Sequence, residues 1–240
     1  MTPPPGITLA GDYALGGAPL FSADLHLRAG EWTCLLGRSG TGKTTILRLL
    51  LGLPTGGHFA GQIAASDSAS LQNRVSYMAQ SDLLLPWLNV LDNVCIGARL
   101  RGTPPDRARA AELLRRVGLS GAAHYMPRQL SGGMRQRAAL ARTLCEDRPV
   151  VLLDEPFSAL DAGTRADMQD LAAQALAGRT VLLVTHDPAE AARLAHQIVL
   201  LSPQGTAVWP TPPQSPPRAI DAPDTIASQS RLLAHLRCAA

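Results

Sequence analysis

The chain has 240 residues, 46% of them hydrophobic, which suits one large domain or two small ones with a substantial core. The 22 basic and 19 acidic residues leave a formal net charge of +3, an excess too small to indicate a nucleic-acid-binding protein. The four cysteines lie far apart without a Cys-x-x-Cys pair, which argues against zinc-knuckle and dithiol redox motifs and favours a reducing, cytosolic compartment.

Two further features bear on where the protein acts. The arginines clustered between residues 99 and 116 are more typical of a solvated helix face than of a nucleic-acid patch, so no nucleic-acid partner is expected. The first six residues lack the basic and apolar regions of a signal peptide, and no stretch reaches the roughly 18 apolar residues that cross a bilayer. Work at a membrane would therefore require docking to an embedded protein.

The amino-terminal 36 residues are predicted to be rich in β-structure. Apolar and polar residues alternate at 7–9 and 25–27, and a short buried strand is predicted at Trp32–Leu36. Gly37-Arg38-Ser39-Gly40-Thr41-Gly42-Lys43-Thr44 follows and fits G-x-x-x-x-G-K-[ST], the pattern of a phosphate-binding loop. Residues 45–51 then form a predicted helix that ends at a glycine.

This loop predicts a nucleotide site. Its backbone N–H groups and the positive end of the following helix can face a phosphate. Lys43 can reach the β- and γ-phosphates, and the Thr44 hydroxyl can bind Mg²⁺. A chance match to the pattern is the alternative, and the strand–loop–helix context argues against it.

A helical insert is predicted to interrupt the nucleotide-binding core. After a buried strand at Arg74–Met78, the pattern is helical from residue 81 to about 147, with helices at 104–118 and, capped by Ser131, at Gly132–Cys145. The predicted divisions are a nucleotide-binding core (1–80 and 148–209), a helical insert (81–147) and a proline-rich C-terminal tail (210–240).

Strands and helices alternate again after residue 149. The uninterrupted aliphatic runs Val150–Leu153 and Val181–Val184 are typical of buried parallel strands, and helices are predicted to begin after Asp161 and Asp187. The proline-rich sequence from Ser202 onward is expected to be mostly irregular, with one short helix at 228–236. The fold class is therefore α/β, a phosphate-loop core with a mostly parallel sheet flanked by helices and an inserted helical subdomain.

Two acids follow the strand Val150–Leu153. In a parallel α/β sheet, ligands bind at the carboxyl ends of the strands, where the phosphate loop also emerges. Asp154 suits Mg²⁺ binding, and Glu155 is then placed to polarise a water molecule in line with the γ-phosphate. A pair of solvated acids is the alternative, and the neighbouring phosphate loop disfavours it.

A second anion site is predicted at Leu130-Ser131-Gly132-Gly133-Met134-Arg135-Gln136-Arg137. A serine hydroxyl, two glycine N–H groups and a helix amino terminus can bind an anion there. Since one subunit already holds phosphates with its own loop, a second site suggests closure on the nucleotide of another subunit. An ordinary serine-capped helix is the open alternative.

The stretch LSGGMRQR resembles the signature sequence of ATP-binding cassette (ABC) ATPases, and other stretches agree in the right order. Gln80 resembles the Q-loop glutamine, Ser158–Asp161 the D-loop, and His186 the switch histidine. Tyr13 resembles the aromatic that stacks on adenine, with Phe21 as a weaker alternative. The resemblance covers residues 7–209 and implies an antiparallel β subdomain in addition to the core and the insert.

The resemblance implies that two copies sandwich two ATP molecules head to tail. Thr44, Gln80 and Asp154 would organise Mg²⁺ and water, Glu155 would act as the general base, and Ser131 and Gly133 would cap the γ-phosphate held by the second copy. The implied catalytic residues are Lys43, Gln80, Glu155 and His186. The implied nucleotide contacts are Tyr13, Gly37, Arg38, Ser39, Gly40, Thr41, Gly42, Lys43, Thr44, Thr45, Ser131, Gly132, Gly133, Gln136 and Asp161.

The apolar segment Leu83–Val94 narrows the class. Either Trp87 packs in the core, or the segment is a docking surface for a membrane permease. Leu-Leu-Pro-Trp resembles importer ATPases of the nitrate, sulfonate, taurine and thiamine-pyrimidine-precursor group. We expect a peripheral ATPase on the cytoplasmic face of the inner membrane, acting with a permease and indirectly with a substrate-binding protein. A thiamine precursor is slightly favoured, then sulfonate, taurine or nitrate; a soluble ATPase acting on ribosomes or DNA, or an exporter ATPase, is the alternative.

Overall fold

The computed structural model describes residues 3–238, which form two compact units. The first unit contains the chain up to Val75, then Pro149–Asp154, then the chain from Ala177 onward. The second contains Ser76–Arg148 and Glu155–Leu176, so it extends beyond the predicted insert and takes in the segment after Asp154. One unit boundary falls between the two acids that end the predicted strand.

Strands and helices alternate along most of the chain. The strands are β1 (Ile7–Leu15), β2 (Ala18–Leu27), β3 (Trp32–Gly37), β4 (His58–Ala65), β5 (Val75–Met78), β6 (Val150–Asp154), β7 (Thr180–Thr185), β8 (Gln197–Ser202) and β9 (Gly205–Trp209). The helices are α1 (Lys43–Leu50), α2 (Val90–Val94), α3 (Ile96–Leu100), α4 (Arg107–Arg116), α5 (Gly132–Cys145), α6 (Ala162–Ala175), α7 (Pro188–Leu194) and α8 (Pro223–Cys238).

In the first unit, β2, β1 and β4 form an antiparallel sheet in that order. Its alternating sequence explains it: every second residue of β2 from Phe21 to Leu27 is buried, whereas Ser22, Asp24 and His26 between them are exposed. This sheet matches the antiparallel subdomain that the sequence resemblance implied.

The strands β6, β7, β3, β8 and β9 lie side by side in that order in the first unit. The first four run parallel, and β9 is antiparallel to β8. The strands β3, β6 and β7 are buried along their whole length, as their uninterrupted apolar sequences predict. The predicted phosphate-loop core with a mostly parallel sheet is confirmed.

The second unit is mainly helical. Its longest helices, α5 and α6, begin at side-chain caps: the Ser131 Oγ accepts from the Met134 N–H at 3.2 Å, and the Asp161 Oδ1 accepts from the Thr164 N–H at 3.0 Å. Ala138, Ala139, Leu140 and Ala141 are all buried, so this part of α5 is enclosed on more than one side. Since three of these four residues are alanines, neighbouring backbone can approach the helix closely.

The clustered arginines of the second unit mostly pair with acids. Asp92 accepts from both Arg99 and Arg107 at 2.6 Å, and Arg109 pairs with Asp147 at 3.1 Å. Because these ion pairs lie on a partly exposed surface, the guanidinium groups stay hydrated and the pairs add little to the stability of the fold. The cluster therefore has the character of a solvated, ion-paired face.

The expectation of a mostly irregular tail is wrong. Strand β9 was not predicted, and α8 has 16 residues rather than one short stretch at 228–236. Arg218, which is 5% exposed, donates to the carbonyl oxygens of Ala192 and Ala195 at 2.8 Å and so fixes the proline-rich segment before α8. No helix within residues 3–238 is both long enough and apolar enough to cross a bilayer.

Candidate functional site

The predicted phosphate loop connects β3 to α1 at the carboxyl edge of the parallel strands. Gly42 has a φ of +97°, and a Cβ atom there would lie 2.5 Å from the Cδ1 atom of Phe21. A larger residue at this position is therefore excluded by backbone conformation and by packing. Arg38, Ser39 and Gly40 are exposed, so the outer part of the loop is accessible to a ligand.

The Lys43 amine lies inside the loop. It is 8% exposed and donates to the carbonyl oxygens of Gly37 at 2.7 Å and Arg38 at 2.8 Å. The Thr41 hydroxyl also donates to the Arg38 carbonyl, at 2.9 Å. No side chain caps the amino end of α1, where Thr45 occupies the first turn. A cation and the N–H groups of a helix terminus thus converge, the arrangement that binds phosphate.

Thr44 and Asp154, both predicted metal ligands, come together in the first unit. The Thr44 hydroxyl donates to the Asp154 Oδ2 at 3.3 Å, and Asp154 is 4% exposed at the end of β6. A hydroxyl and a carboxylate are hard oxygen ligands of the kind Mg²⁺ prefers. The donor set therefore fits magnesium.

His186 lies at the same edge of the sheet. It follows β7 directly and is exposed, and the next residue, Asp187, caps α7 by accepting from the Ala189 N–H at 2.8 Å. The register pairs Leu36 of β3 with Thr185 of β7, so the phosphate loop and His186 leave adjacent strands at one level. The sequence prediction for the position of His186 therefore agrees with the topology.

In the second unit, the predicted base and the predicted Q-loop glutamine are in contact. The Gln80 Nε2 donates to the Glu155 carboxylate at 3.1 Å. Glu155 has a φ of +48°, a left-handed conformation that residues other than glycine rarely adopt. Strain of this kind persists where surrounding contacts hold it, and it clusters at functional sites.

The predicted second anion site is the exposed start of α5. Ser131 and Gly132 are exposed and Gly133 is half-buried. The Ser131 hydroxyl oxygen caps the helix, as the alternative interpretation of this stretch requires. The cap and an anion-binding role are compatible, because the serine O–H remains a donor while its oxygen accepts.

Gln136 was predicted to contact the nucleotide, and the structure contradicts this. The side chain is 5% exposed, its Nε2 donates to the Glu155 carbonyl oxygen at 3.0 Å, and its Oε1 accepts from the Ala159 N–H at 2.8 Å. Both ends of the amide are engaged inside the second unit. Gln136 therefore holds protein backbone.

Tyr13 and Phe21 also lie elsewhere than predicted. Tyr13 is 1% exposed and Phe21 is 2% exposed; their rings stack with centroids 5.3 Å apart, and the Tyr13 hydroxyl donates to the Thr55 carbonyl oxygen at 2.9 Å. Neither ring offers a face to adenine in this arrangement. The residue types suited stacking, but their inward positions on β1 and β2 make them core residues.

Asp161 has a structural role that its sequence position also predicted. Its carboxylate caps α6, and the hydrogen bonds from Thr164 hold the pKa of that carboxyl below its usual range. A carboxylate used in this way is a poor phosphate contact, since both groups are anionic. The predicted nucleotide contact through this side chain is therefore not supported.

Two arginines of α5 hold the segment after Gln80, an arrangement that was not predicted from the sequence. Arg142 of α5 donates to the carbonyl oxygens of Asp82 at 2.7 Å and Leu83 at 2.8 Å, and Arg135 donates to the Asp82 carboxylate at 3.1 Å. Burial lowers the pKa of the Arg142 guanidinium from its usual value. The spacing of the two arginines, seven residues apart on one helix, was the available signal.

The clamped segment exposes apolar side chains. Leu83, with a φ of +47°, is 59% exposed, and Trp87 is 69% exposed, so core packing of Trp87 is excluded. The fully buried Asn93 accepts from the Leu85 N–H at 2.7 Å and donates to the Leu88 carbonyl oxygen at 2.9 Å. The backbone that carries these exposed side chains is therefore fixed by internal hydrogen bonds.

Comparison with known proteins identifies the class. A family model described as ABC transporter matches residues 20–158, and the chain belongs to this family. The resemblance of the signature stretch is confirmed, and the chain is an ATP-binding ATPase of the ABC type.

The names of individual relatives agree with this family assignment. The chain is 46% identical over 195 residues to an uncharacterized ABC transporter ATP-binding protein of Haemophilus influenzae, and the aligned region covers 80% of each protein. It is 48% identical over 188 residues to an aliphatic sulfonates import ATP-binding protein, SsuB 1, of Rhodococcus jostii, covering 78% of this chain and 74% of the relative.

Solved structures share the fold. The dimeric structure of MJ0796, a bacterial ABC transporter cassette, matches with a TM-score of 0.72 at 29% identity over 83% of this chain and 96% of that one. A dimeric post-hydrolysis state of the same cassette, bound to ADP and Pi, matches with a TM-score of 0.71 at 28% identity over 84% of this chain and 98% of that one.

Proposed function

We propose that this chain is the ATP-hydrolysing subunit of an importer for aliphatic sulfonates. One observation supports the hydrolytic part above all: the residues proposed to bind phosphate and metal cluster at one sheet edge, and Glu155, which accepts from Gln80, directly follows Asp154 in the chain. The relatives named as sulfonate import proteins support the substrate class. The initial preference for a thiamine precursor has no such support and stays a prediction.

The phosphate loop would bind the triphosphate of ATP. The N–H groups of Gly40–Thr45 would face the phosphates, and the Lys43 amine would exchange its contacts with loop carbonyls for phosphate oxygens. Thr44 and Asp154 would hold Mg²⁺, with Gln80 as a further ligand, and the ion would neutralise charge that develops on the phosphates. Positioning and charge stabilisation then lower the barrier without a covalent enzyme intermediate.

Glu155 would act as the general base. Its carboxylate accepts a proton from the attacking water while Gln80 holds the carboxylate in place. His186, just after the carboxyl end of β7, would donate a hydrogen bond to the γ-phosphate and stabilise the charge on that group in the transition state.

A second copy would complete the site. The exposed start of α5 offers the Ser131 hydroxyl and the Gly132 and Gly133 N–H groups, yet the same chain already has a phosphate loop of its own. Two copies arranged head to tail would each supply this anion site to the ATP bound by the other. The dimeric forms of the related cassette are consistent with such an arrangement.

The exposed residues Leu83 and Trp87 would dock on a membrane permease. Exposed apolar side chains on a fixed backbone suit a short amphipathic helix of a partner protein. The chain would then be peripheral on the cytoplasmic face of the inner membrane, and a substrate-binding protein would deliver the sulfonate from the other side. Residues 81–147 would form the subdomain that carries this surface and the signature stretch.

The Glu155→Gln variant tests the catalytic part. It should bind ATP and form a dimer with ATP and Mg²⁺, seen by size-exclusion chromatography with light scattering, while kcat falls roughly 10²–10⁴-fold because the base is lost. Wild-type hydrolysis by this variant would refute the assignment of Glu155.

A growth assay tests the transport part. A strain lacking the gene should fail to grow on an alkanesulfonate as its sole sulfur source and should recover with the wild-type gene, but not with Lys43→Ala. Normal growth of the deletion strain would refute the substrate class, and co-purification with ribosomes or DNA in place of a permease would favour the soluble alternative.

A further inference from the structure

The Gln136 side chain connects helix α5 to the turn that starts at Glu155, and this connection has no part in the mechanism described so far. Gln136 lies in α5, five residues after Ser131, and its amide spans the turn that starts at Glu155. The Nε2 donates to the Glu155 carbonyl oxygen at 3.0 Å, and the Oε1 accepts from the Ala159 N–H at 2.8 Å. One buried side chain therefore holds both ends of residues 155–159.

The backbone of the turn held by Gln136 is strained at Glu155, the proposed general base. Glu155 keeps a left-handed φ of +48°. Its carbonyl oxygen also accepts from the Ser158 hydroxyl at 3.0 Å and from the Ser158 N–H at 3.3 Å, both of which belong to the turn itself. Gln136 is the donor that ties this carbonyl to another secondary-structure element, and over-determined contacts of this kind maintain unfavourable backbone conformations.

We propose that Gln136 is a positioning residue for ATP hydrolysis, which fixes the backbone of Glu155 while Gln80 holds its carboxylate. Because Gln136 and Ser131 lie on the same rigid helix, it also ties the position of Glu155 to the signature segment. Closure of the signature segment on the ATP of a second copy would then change the position of Glu155, the general base of the same chain. This rests on the proposed role of Glu155 as the base.

The Gln136→Met variant tests the proposal, because methionine has a similar length without the amide. We expect kcat for ATP hydrolysis to fall roughly 10- to 100-fold, the effect of displacing a catalytic group by about 1 Å, with an unchanged KM for ATP. Gln174→Met is the matched control. It makes the same change at an exposed glutamine of α6, away from the turn, so it should leave kcat unchanged.

A double-mutant cycle separates positioning from general destabilisation. In the Glu155→Gln background, Gln136→Met should lower the residual kcat less than twofold, since a residue that acts through the base has nothing left to position. Multiplication of the two effects would overturn the proposal. Wild-type hydrolysis by Glu155→Gln alone would instead refute the base, and the positioning role with it.

The Gln136→Glu variant provides a second test in case the Gln136→Met variant does not fold. It keeps an oxygen acceptor for the Ala159 N–H but replaces the donor to the Glu155 carbonyl, so kcat should fall with an unchanged KM. A folded Gln136→Glu variant with wild-type kcat would overturn the proposal, and circular dichroism with thermal melting establishes that each variant is folded.

Discussion

The two units of the molecule hold their functional residues by different means. In the first, the residues proposed to bind phosphate and metal lie at or just after the ends of buried parallel strands, so the sheet brings Lys43 and Asp154 to one edge. In the second, Glu155 lies in a strained turn held by the side-chain amides of Gln80 and Gln136. In the proposed mechanism, the nucleotide-binding residues would thus be placed by the sheet, whereas the general base would be placed by side-chain contacts.

The largest effect is expected from a substitution in the phosphate loop, which distinguishes nucleotide binding from hydrolysis. Lys43→Ala removes the cation inside the loop, and kcat/KM for ATP should fall roughly 10²–10³-fold, the usual cost of one strong transition-state donor. Unlike Glu155→Gln, this variant should also lose ATP affinity, measured by titration with a fluorescent ATP analogue. Arg48→Ala, an exposed change on the same helix, is the control and should behave as wild type. Full ATP affinity in Lys43→Ala would refute the division of roles.

A smaller effect is expected at the clamp of the second unit. In Arg142→Lys, one ammonium cannot reproduce the two hydrogen bonds to the Asp82 and Leu83 carbonyl oxygens, so the free energy of unfolding should fall by about 1–3 kcal/mol. Urea denaturation measures this change. Arg115→Lys, at an exposed ion pair with Glu112, is the matched control and should show no measurable change. Equal effects in both variants would mean that the Arg142 clamp is not specific.

The same contrast explains what the sequence could predict. The buried strands β3, β6 and β7 and the caps Ser131 and Asp161 depend on runs of neighbouring residues, so local patterns were sufficient. The roles of Gln136 and Tyr13 depend on which distant backbone group each meets, and a residue type at a motif position does not specify that. The order of the proline-rich segment before α8 was not predicted for the same reason, because Arg218 donates to carbonyl oxygens more than 20 residues away.

The smallest effect concerns the pH dependence of a helix cap. Hydrogen bonds from Thr164 lower the pKa of the Asp161 carboxyl in the folded protein, so the folded state favours the charged form. This contribution to stability is present above the ordinary aspartate pKa and is lost as the pH falls through the lower, folded pKa. Asp161→Asn keeps a side-chain cap without a titrating group. Its melting temperature should therefore decrease slightly less than that of the wild type on acidification, measured by thermal melts at matched ionic strength. Identical acid sensitivity of the two proteins would show that the cap of α6 stabilises the second unit by its geometry and not by its charge.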